Sequence, residues 1–588
     1  MLAPLEGRRP HGRVARGGNP AHRARWLLLL VVVSLIAVTL RLVQLQAVSA
    51  SEYAARGLRQ RLHTLPIPAE RGTIFDRNGN ELAMSVRQST VYADPSLVDD
   101  PVATAAHLAP VLSIDAKVLE TKLRQKGEFV YLARKVADDV AARVTALHLR
   151  GVALQDESKR FQPNGDLAAA VLGSVNLDNE GATGIEQQLD GKLAGTAGQM
   201  LLERGADGRT IAGGERRLTP AHPGEDLVLT LDRSLQYAVE RGLSEQIVAN
   251  HAKGGFAIVM EPSSGEILAM ANLTTGADGP VSTRDNRAVT TVFEPGSVNK
   301  VITVAGALEE GIVTPQTTFT VPDHLQVSTH RFSDHDPHPP TPWNVRDIVT
   351  TSSNIGTIMV AKQLGEKRID EYLRKFGLGQ PTGLAFPNES KGLMKSGRWN
   401  GTDIGSIPIG QGIAVSALQM LDVYNTIAND GVFVAPRVVK ATVDADGHEH
   451  RVESAAGRRV VSARTAEQLT GMLANVVAVG TGVNAAIPGY TVAGKTGTAR
   501  KPSLTSRGYV SGAYIATFAG FVPAEAPRLS AIVVLDEPHP YYASLSSAPV
   551  FSRITKYALR QFRVPPPAAA IRTDDAPPPQ APPVAVRD

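Results

Sequence analysis

The chain has 588 residues, enough for two to four domains with at least one large buried core. It contains no cysteine, which excludes disulfides, cysteine nucleophiles, zinc-thiolate sites and cysteine-ligated iron-sulfur clusters. The net charge of +4 is concentrated in Arg8, Arg9, Arg13, Arg16, Arg23 and Arg25, which stop at an apolar run without interleaved aromatics, so nucleic acid is not an expected partner.

That basic leader, residues 1–25, precedes "WLLLLVVVSLIAVTL" from Trp26 to Leu40, and the apolar stretch resumes after Arg41 to Val48. About 22 apolar residues suffice to cross a bilayer, so 26–48 is the expected transmembrane helix, with Arg41 reaching back to an interface. The positive leader predicts a cytoplasmic N-terminus and an extracytoplasmic remainder in the cell membrane, single-pass. Val48-Ser49-Ala50 also offers the small residues of a signal-peptide cleavage site, but the long leader and Arg41 favour a retained anchor.

Residues 49–223 are expected to form an extracytoplasmic pedestal. In "RGTIFDRNGNELA" at 71–83, Asp76, Arg77, Asn78 and Gly79 read as a tight turn between two short strands. From 101 to 150 the spacing of apolar residues predicts small helices. "GATGIEQQLDGKLAGTAG" at 181–198 mixes a short helix with turns and lacks the phosphate-cradle pattern. Glu186 and Asp190, four apart, read as a solvated helix face.

At about 224 the chain changes character. "PGEDLVLTLDRSLQYAVERGL" predicts a strand and an amphipathic helix, and "GFAIVMEPSSGEILAMAN" a hairpin about its Pro-Ser-Ser-Gly turn. Helices are expected in "VNKVITVAGALEEG", "SSNIGTIMVAKQLG" and "TAEQLTGMLANVVAV", and strands in "YTVAGKTGTA", "YIATFAGFVP" and "LSAIVVLDEP". Strands enclosing a helical middle imply an antiparallel sheet with helical layers over 224–560, so the fold class is multidomain α+β. Residues 561–588, Pro-rich, read as a disordered tail.

The chemistry centres on "EPGSVNK" at 294–300. An S-x-x-K match alone is weak, since average composition gives about one in a chain this long. Ser297 and Lys300 nevertheless share a helix face beside the N–H groups of a helix start, which is what an activated serine needs. Downstream, "TSSNIG" places Ser352, Ser353 and Asn354 at a second helix start, and "AGKTGTA" places Lys495, Thr496, Gly497 and Thr498 in a strand.

S-x-x-K, S-x-N and K-T-G in that order resemble the motif set of penicillin-binding proteins and serine β-lactamases. "RGTIFDRNGNELA", "GATGIEQQLDGKLAGTAG", "NRAVTTVFEPGSVNK", "IGQGIAVSALQML" and "GFVPAEAPRLSAIVVLDEP" are similar to the class B penicillin-binding proteins, monofunctional peptidoglycan D,D-transpeptidases. The short pedestal and "SDHDPHPP" look most like the septal, division-type branch. "YYASLSSAPVF" at 541–551 departs from the Gly pair that relatives usually carry after the Tyr.

The resemblance implies Ser297 as nucleophile and Lys300 as general base, its pKa lowered by burial and by the charge of Lys495. Ser352 is implied as proton relay, with Asn354 holding Lys300 and the substrate amide. Lys495, Thr496 and Thr498 are implied for the donor's carboxylate, with Gly497 admitting substrate backbone and the N–H groups of Ser297 and Thr498 forming an oxyanion hole. It implies peptidoglycan stem peptides, a D-Ala-D-Ala donor and an amine acceptor, as substrates and β-lactams as acylating inhibitors. It further implies a membrane-embedded glycan polymerase and other division proteins as partners, the lipid bilayer, and no cofactor. A non-catalytic divisome scaffold, a β-lactam sensor and a D,D-carboxypeptidase are the competing readings. His330, His335 and His338 with Asp334 and Asp336 could be drawn as a metal site, but their irregular spacing among prolines predicts a polar loop near the cleft.

Overall fold

The computed structural model describes residues 20–567 except 204, 206–210, 212 and 504–507. Most of the basic leader and residues 568–588 of the expected tail lie outside the described residues. Within them the chain divides into two compact units, residues 1–68 with 197–221, and 69–196 with 222–588.

In the first unit, Pro20–Val43 is helical and winds more widely through Gln44–Val48 before a second helix, Ala50–Arg61. Its leucines, valines and Trp26 are exposed all around, and Ala21–Val48 is long and apolar enough to span a bilayer. Such a segment satisfies every backbone group internally, so a helix is the form lipid allows. Strand Leu62–Ile67 pairs antiparallel with Gly198–Glu203, which in turn pairs with Arg216–Thr219.

In the second unit, a seven-stranded sheet runs Glu449–Arg451, Val439–Val443, Asp226–Leu229, Ile74–Phe75, Glu81–Ala93, Val130–Val136, with Val152–Phe161 also on Glu81–Ala93. It joins strands from both sides of position 224. Val130–Val136 falls in the stretch expected to be helical. Its β-branched and aromatic residues pair with Glu81–Ala93, and that pairing overrides the local periodicity.

The turn at 76–79 forms as the sequence predicts. The Asp76 carboxylate accepts from the backbone N–H groups of Asn78 and Asn80, both at 2.8 Å, and from that of Arg233 at 3.1 Å. Glu186 does not face solvent as its spacing suggested. It is fully buried, paired with Arg71 at 2.7 Å and Arg160 at 2.6 Å, while Asp190 pairs with Arg71 at 2.7 Å. The i,i+4 spacing places the two carboxylates on one face, but it cannot reveal that Arg71 lies opposite.

The second sheet of this unit has six antiparallel strands in the order Gly279–Ser282, Ile267–Gly276, Gly254–Met260, Leu529–Asp536, Tyr509–Val522, Ala493–Pro502. Phe256, Ile258 and Met260 enter one core, and Ala257 and Val259 the other. Two-sided burial explains why "GFAIVM" is continuously apolar where a half-exposed strand would alternate. Helices Arg233–Ala249 and Ser547–Gln561 cover one face, and Ala417–Ala428 the other.

Candidate active site

The serine turn is held from three sides. Phe293 exchanges backbone hydrogen bonds with Val415, and Gly296 donates to the Gly410 carbonyl at 3.0 Å. One 3-10 turn, Gly296–Asn299, then feeds the helix Lys300–Glu309. The Asn299 amide donates to the Ile407 carbonyl at 2.9 Å, and the Tyr424 hydroxyl donates to the Val298 carbonyl at 3.0 Å. Ser297 alone in this turn is partly exposed, while its neighbours are buried.

Lys300 is 1 % exposed. Its Nζ donates to the Ser352 carbonyl at 2.5 Å and lies 3.4 Å from the Ser352 hydroxyl. Burial pushes its pKa down to about 7, with the Asp334 carboxylate opposing. The cation expected to help, Lys495, is itself pushed well below its ordinary value, by burial first and the Lys300 charge second. Two buried amines thus resist carrying two protons.

Ser352 has φ +63, a left-handed conformation uncommon outside glycine. Ser353 caps the helix Asn354–Leu364, its hydroxyl accepting from the Gly356 N–H at 2.8 Å and donating to Asp334 at 2.7 Å. The Asn354 side-chain N–H donates to the Ser333 carbonyl at 3.0 Å, and the Lys300 amine donates to the Ser352 carbonyl.

Among the described residues Ala493–Pro502 is an edge strand, paired with Tyr509–Val522 alone. A side-chain carbon on Gly497 would lie 3.0 Å from the Pro295 carbonyl oxygen and 3.0 Å from Val298, so the strand rests directly on the serine turn. A carbon on Gly296 would lie 3.6 Å from the Thr498 carbonyl, bringing the backbones of 296–297 and 498 side by side. Lys495 donates to the Thr496 carbonyl at 3.2 Å. The Thr496 hydroxyl meets that of Thr481 at 2.7 Å, and the Thr498 hydroxyl accepts from the Ala543 N–H at 3.3 Å. Thr481 was not anticipated, since it lies between a helix end and a turn with no motif to mark it. The free edge of this strand can take an extended peptide by backbone pairing.

The three histidines go to separate partners: His330 to Phe332, His335 to Tyr542 across 5.6 Å, and His338 to Asp334 and Trp343. They form a polar wall. Tyr542 in turn meets Tyr541 at a tilt, and Tyr541 stacks on Tyr514, so the divergent loop after position 541 is packed on the sheet.

A serine on a helix start, a buried lysine one turn on, a second serine beside that lysine and a K-T-G edge strand define an active-serine acyltransferase of the penicillin-binding type. The family model of the penicillin binding protein transpeptidase domain matches residues 255–556, and that of the penicillin-binding protein dimerisation domain matches 66–229. The chain belongs to the class B penicillin-binding proteins. It is 35% identical to penicillin-binding protein PbpB of Mycolicibacterium smegmatis, over 92% of this chain and 90% of that one. It is 32% identical to peptidoglycan D,D-transpeptidase FtsI of Escherichia coli, over 90% of each. The crystal structure of penicillin binding protein 3 from Mycobacterium tuberculosis complexed with aztreonam superposes with a TM-score of 0.68 at 31% identity, covering 86% of this chain and 98% of that one.

Proposed function

We propose that this chain is a peptidoglycan D,D-transpeptidase that crosslinks stem peptides and is acylated by β-lactams. The observation that carries the reading is a buried Lys300, its pKa pushed down to about 7 by burial, held between the serine turn and Ser352. Ser297 Oγ attacks the carbonyl carbon between the two terminal D-alanines, and the hydroxyl proton passes to the Lys300 amine. The backbone N–H groups of Ser297 and Thr498 receive the developing oxyanion. As the C–N bond breaks, Lys300 returns the proton through Ser352 to the leaving D-alanine. An amine from a neighbouring stem peptide then attacks the ester carbonyl, the new C–N bond forming as the bond to Ser297 Oγ breaks and the amine's proton passing by way of Lys300 back to Oγ.

The donor's terminal carboxylate is bound by Lys495, Thr496 and Thr498. Its arrival supplies the counter-charge that Lys495 lacks, favouring the ammonium form there and the neutral form at Lys300. Asn354 is assigned to the substrate amide, since the Ser352 carbonyl already holds Lys300.

In the same reading, 26–48 is the transmembrane helix, with the leader 1–25 cytoplasmic and the rest extracytoplasmic. The pedestal spans 49–223, the transpeptidase domain 224–560 and the tail 561–588. A relative named FtsI and the short pedestal support a septal role with a membrane-embedded glycan polymerase and other division proteins.

The test is labelling of the detergent-solubilised protein with a fluorescent penicillin, wild type against Ser297→Ala. Label is expected on the wild type and none on the variant, and covalent label on Ser297→Ala sinks the assignment. Product analysis with a D-Ala-D-Ala donor and an amine acceptor separates crosslinking from hydrolysis, the outcome of a carboxypeptidase.

A further inference from the structure

One carboxylate stands behind the S-x-N turn without belonging to any motif. Asp334 follows the strand His330–Ser333, and its side chain is 6 % exposed. Its Oδ1 accepts from the backbone N–H of Asn354 and, at 3.0 Å, from that of Ile355. Its Oδ2 accepts from the Ser353 hydroxyl at 2.7 Å. The first N–H groups of a helix have no partner within it, and a capping side chain ordinarily satisfies one of them. Here Ser353 takes Gly356, and Asp334 takes two more, so the helix start is tied to the 330–334 hairpin.

The residue just before this helix is Ser352, in its left-handed conformation. Such a conformation is strained for a residue with a side chain and persists only where the surroundings over-determine it. It is also the conformation that turns the Ser352 carbonyl onto Lys300. Asp334 is held in its turn by His338, whose Nε2 lies 3.2 Å from Oδ2 and whose Nδ1 lies 2.8 Å from the Pro339 carbonyl. Both ring nitrogens face acceptors, so both bonds are made only by the imidazolium.

We propose that Asp334 is a positioning residue for acyl transfer, pinning the Ser352–Asn354 turn so that Ser352 presents its carbonyl and hydroxyl to Lys300. The inference rests on the transpeptidase reading above. The titratable groups beside Lys300 are Asp334, whose charge favours the ammonium form, and Lys495, itself pushed toward the neutral form by burial.

Two variants separate the parts. Asp334→Asn keeps an oxygen for the Asn354 and Ile355 N–H groups but removes the charge, and Asp334→Ala removes both. The rate of acylation by a fluorescent penicillin is measured against pH on the full chain. For Asp334→Asn the acid limb is expected at lower pH than in the wild type, because the charge that stabilises protonated Lys300 is gone. For Asp334→Ala the rate is expected to fall about tenfold to a hundredfold, the loss that goes with hydrogen bonds to a charged group. A merely structural residue would leave the limb in place. A folded Asp334→Ala that acylates at the wild-type rate overturns the inference, and where Asp334→Ala does not fold, Asp334→Asn with both the wild-type rate and the wild-type limb does. A wild type that takes no label overturns the transpeptidase reading, and this inference with it.

Discussion

The Lys300 nitrogen stands 2.5 Å from the Ser352 carbonyl oxygen, joining two motifs that lie 52 residues apart in sequence. A neutral amine can make this bond with one N–H and still offer its lone pair to the Ser297 proton. Acylation should therefore rise with pH through the Lys300 pKa of about 7 and level off above it. Lys300→Arg keeps the positive charge but cannot deprotonate, and it should lower the acylation rate by about 10²–10⁴, the usual contribution of a general base. A variant labelled by fluorescent penicillin at the wild-type rate would remove Lys300 from the mechanism.

The serine turn depends on a glycine outside it. Gly410 has φ +81, and a side-chain carbon there would lie 2.1 Å from the Gly296 carbonyl oxygen and 2.5 Å from its nitrogen. Gly412, with φ +77, meets nothing nearer than the Ser406 hydroxyl at 3.9 Å. Gly410→Ala must displace Gly296 and with it Ser297, and a shift near 1 Å can cost about 10²-fold in rate. Gly412→Ala pays only backbone strain of about 1 kcal/mol and should acylate nearly as the wild type does. Equal acylation rates in the two variants would contradict this account.

The motif residues were legible because their chemistry is local. A Pro-Gly break, a serine and a lysine one turn later announce a helix start, and K-T-G falls in a stretch with clear strand composition. Asp334 was visible only as one of several polar loop residues, because the N–H groups it satisfies lie 20 and 21 positions downstream. The bond expected from Asn354 to Lys300 is not made, the Lys300 amine donating to the Ser352 carbonyl instead. Sequence places Asn354 on the right helix start, but the Ser333 carbonyl that captures its amide comes from a hairpin that no periodicity predicts there. Glu186 was misread because its partners, Arg71 and Arg160, lie 115 and 26 residues upstream.

That cluster yields a stability prediction. Glu186 is fully buried between two guanidinium groups that are themselves 3 % and 5 % exposed, and removing it leaves both without their shared counter-charge. Breaking a buried pair from one side typically costs about 3–5 kcal/mol. Glu186→Ala should lower the thermal midpoint more than Asp190→Ala, because the Asp190 side chain is 37 % exposed and solvent can replace it. Thermal denaturation of the two variants with equal midpoints would mean that Arg71 and Arg160 find other acceptors.

Lys300 should also be a site where function is held at the expense of stability. Its folded pKa of about 7 lies below the unfolded value of 10.5. Between those values the unfolded chain binds more protons, so this residue makes stability rise with pH across that window. Below about pH 7 its burial cost is fully present, roughly 5 kcal/mol at 1.36 kcal/mol per unit. Lys300→Met removes that cost while its apolar stem fills similar space. It leaves the Ser352 carbonyl without its donor, a loss of about 1–3 kcal/mol, so the balance favours the variant. Lys300→Met should therefore melt a few degrees above the wild type at pH 6, since 1 kcal/mol moves the midpoint of a domain larger than 150–250 residues by less than about 2–4 °C. The gain should shrink as the pH is raised toward 10, while acylation is lost throughout. Differential scanning calorimetry across that range decides it: a variant that melts lower than the wild type at pH 6 would show that Lys300 is held in the core by more than the groups that face it here.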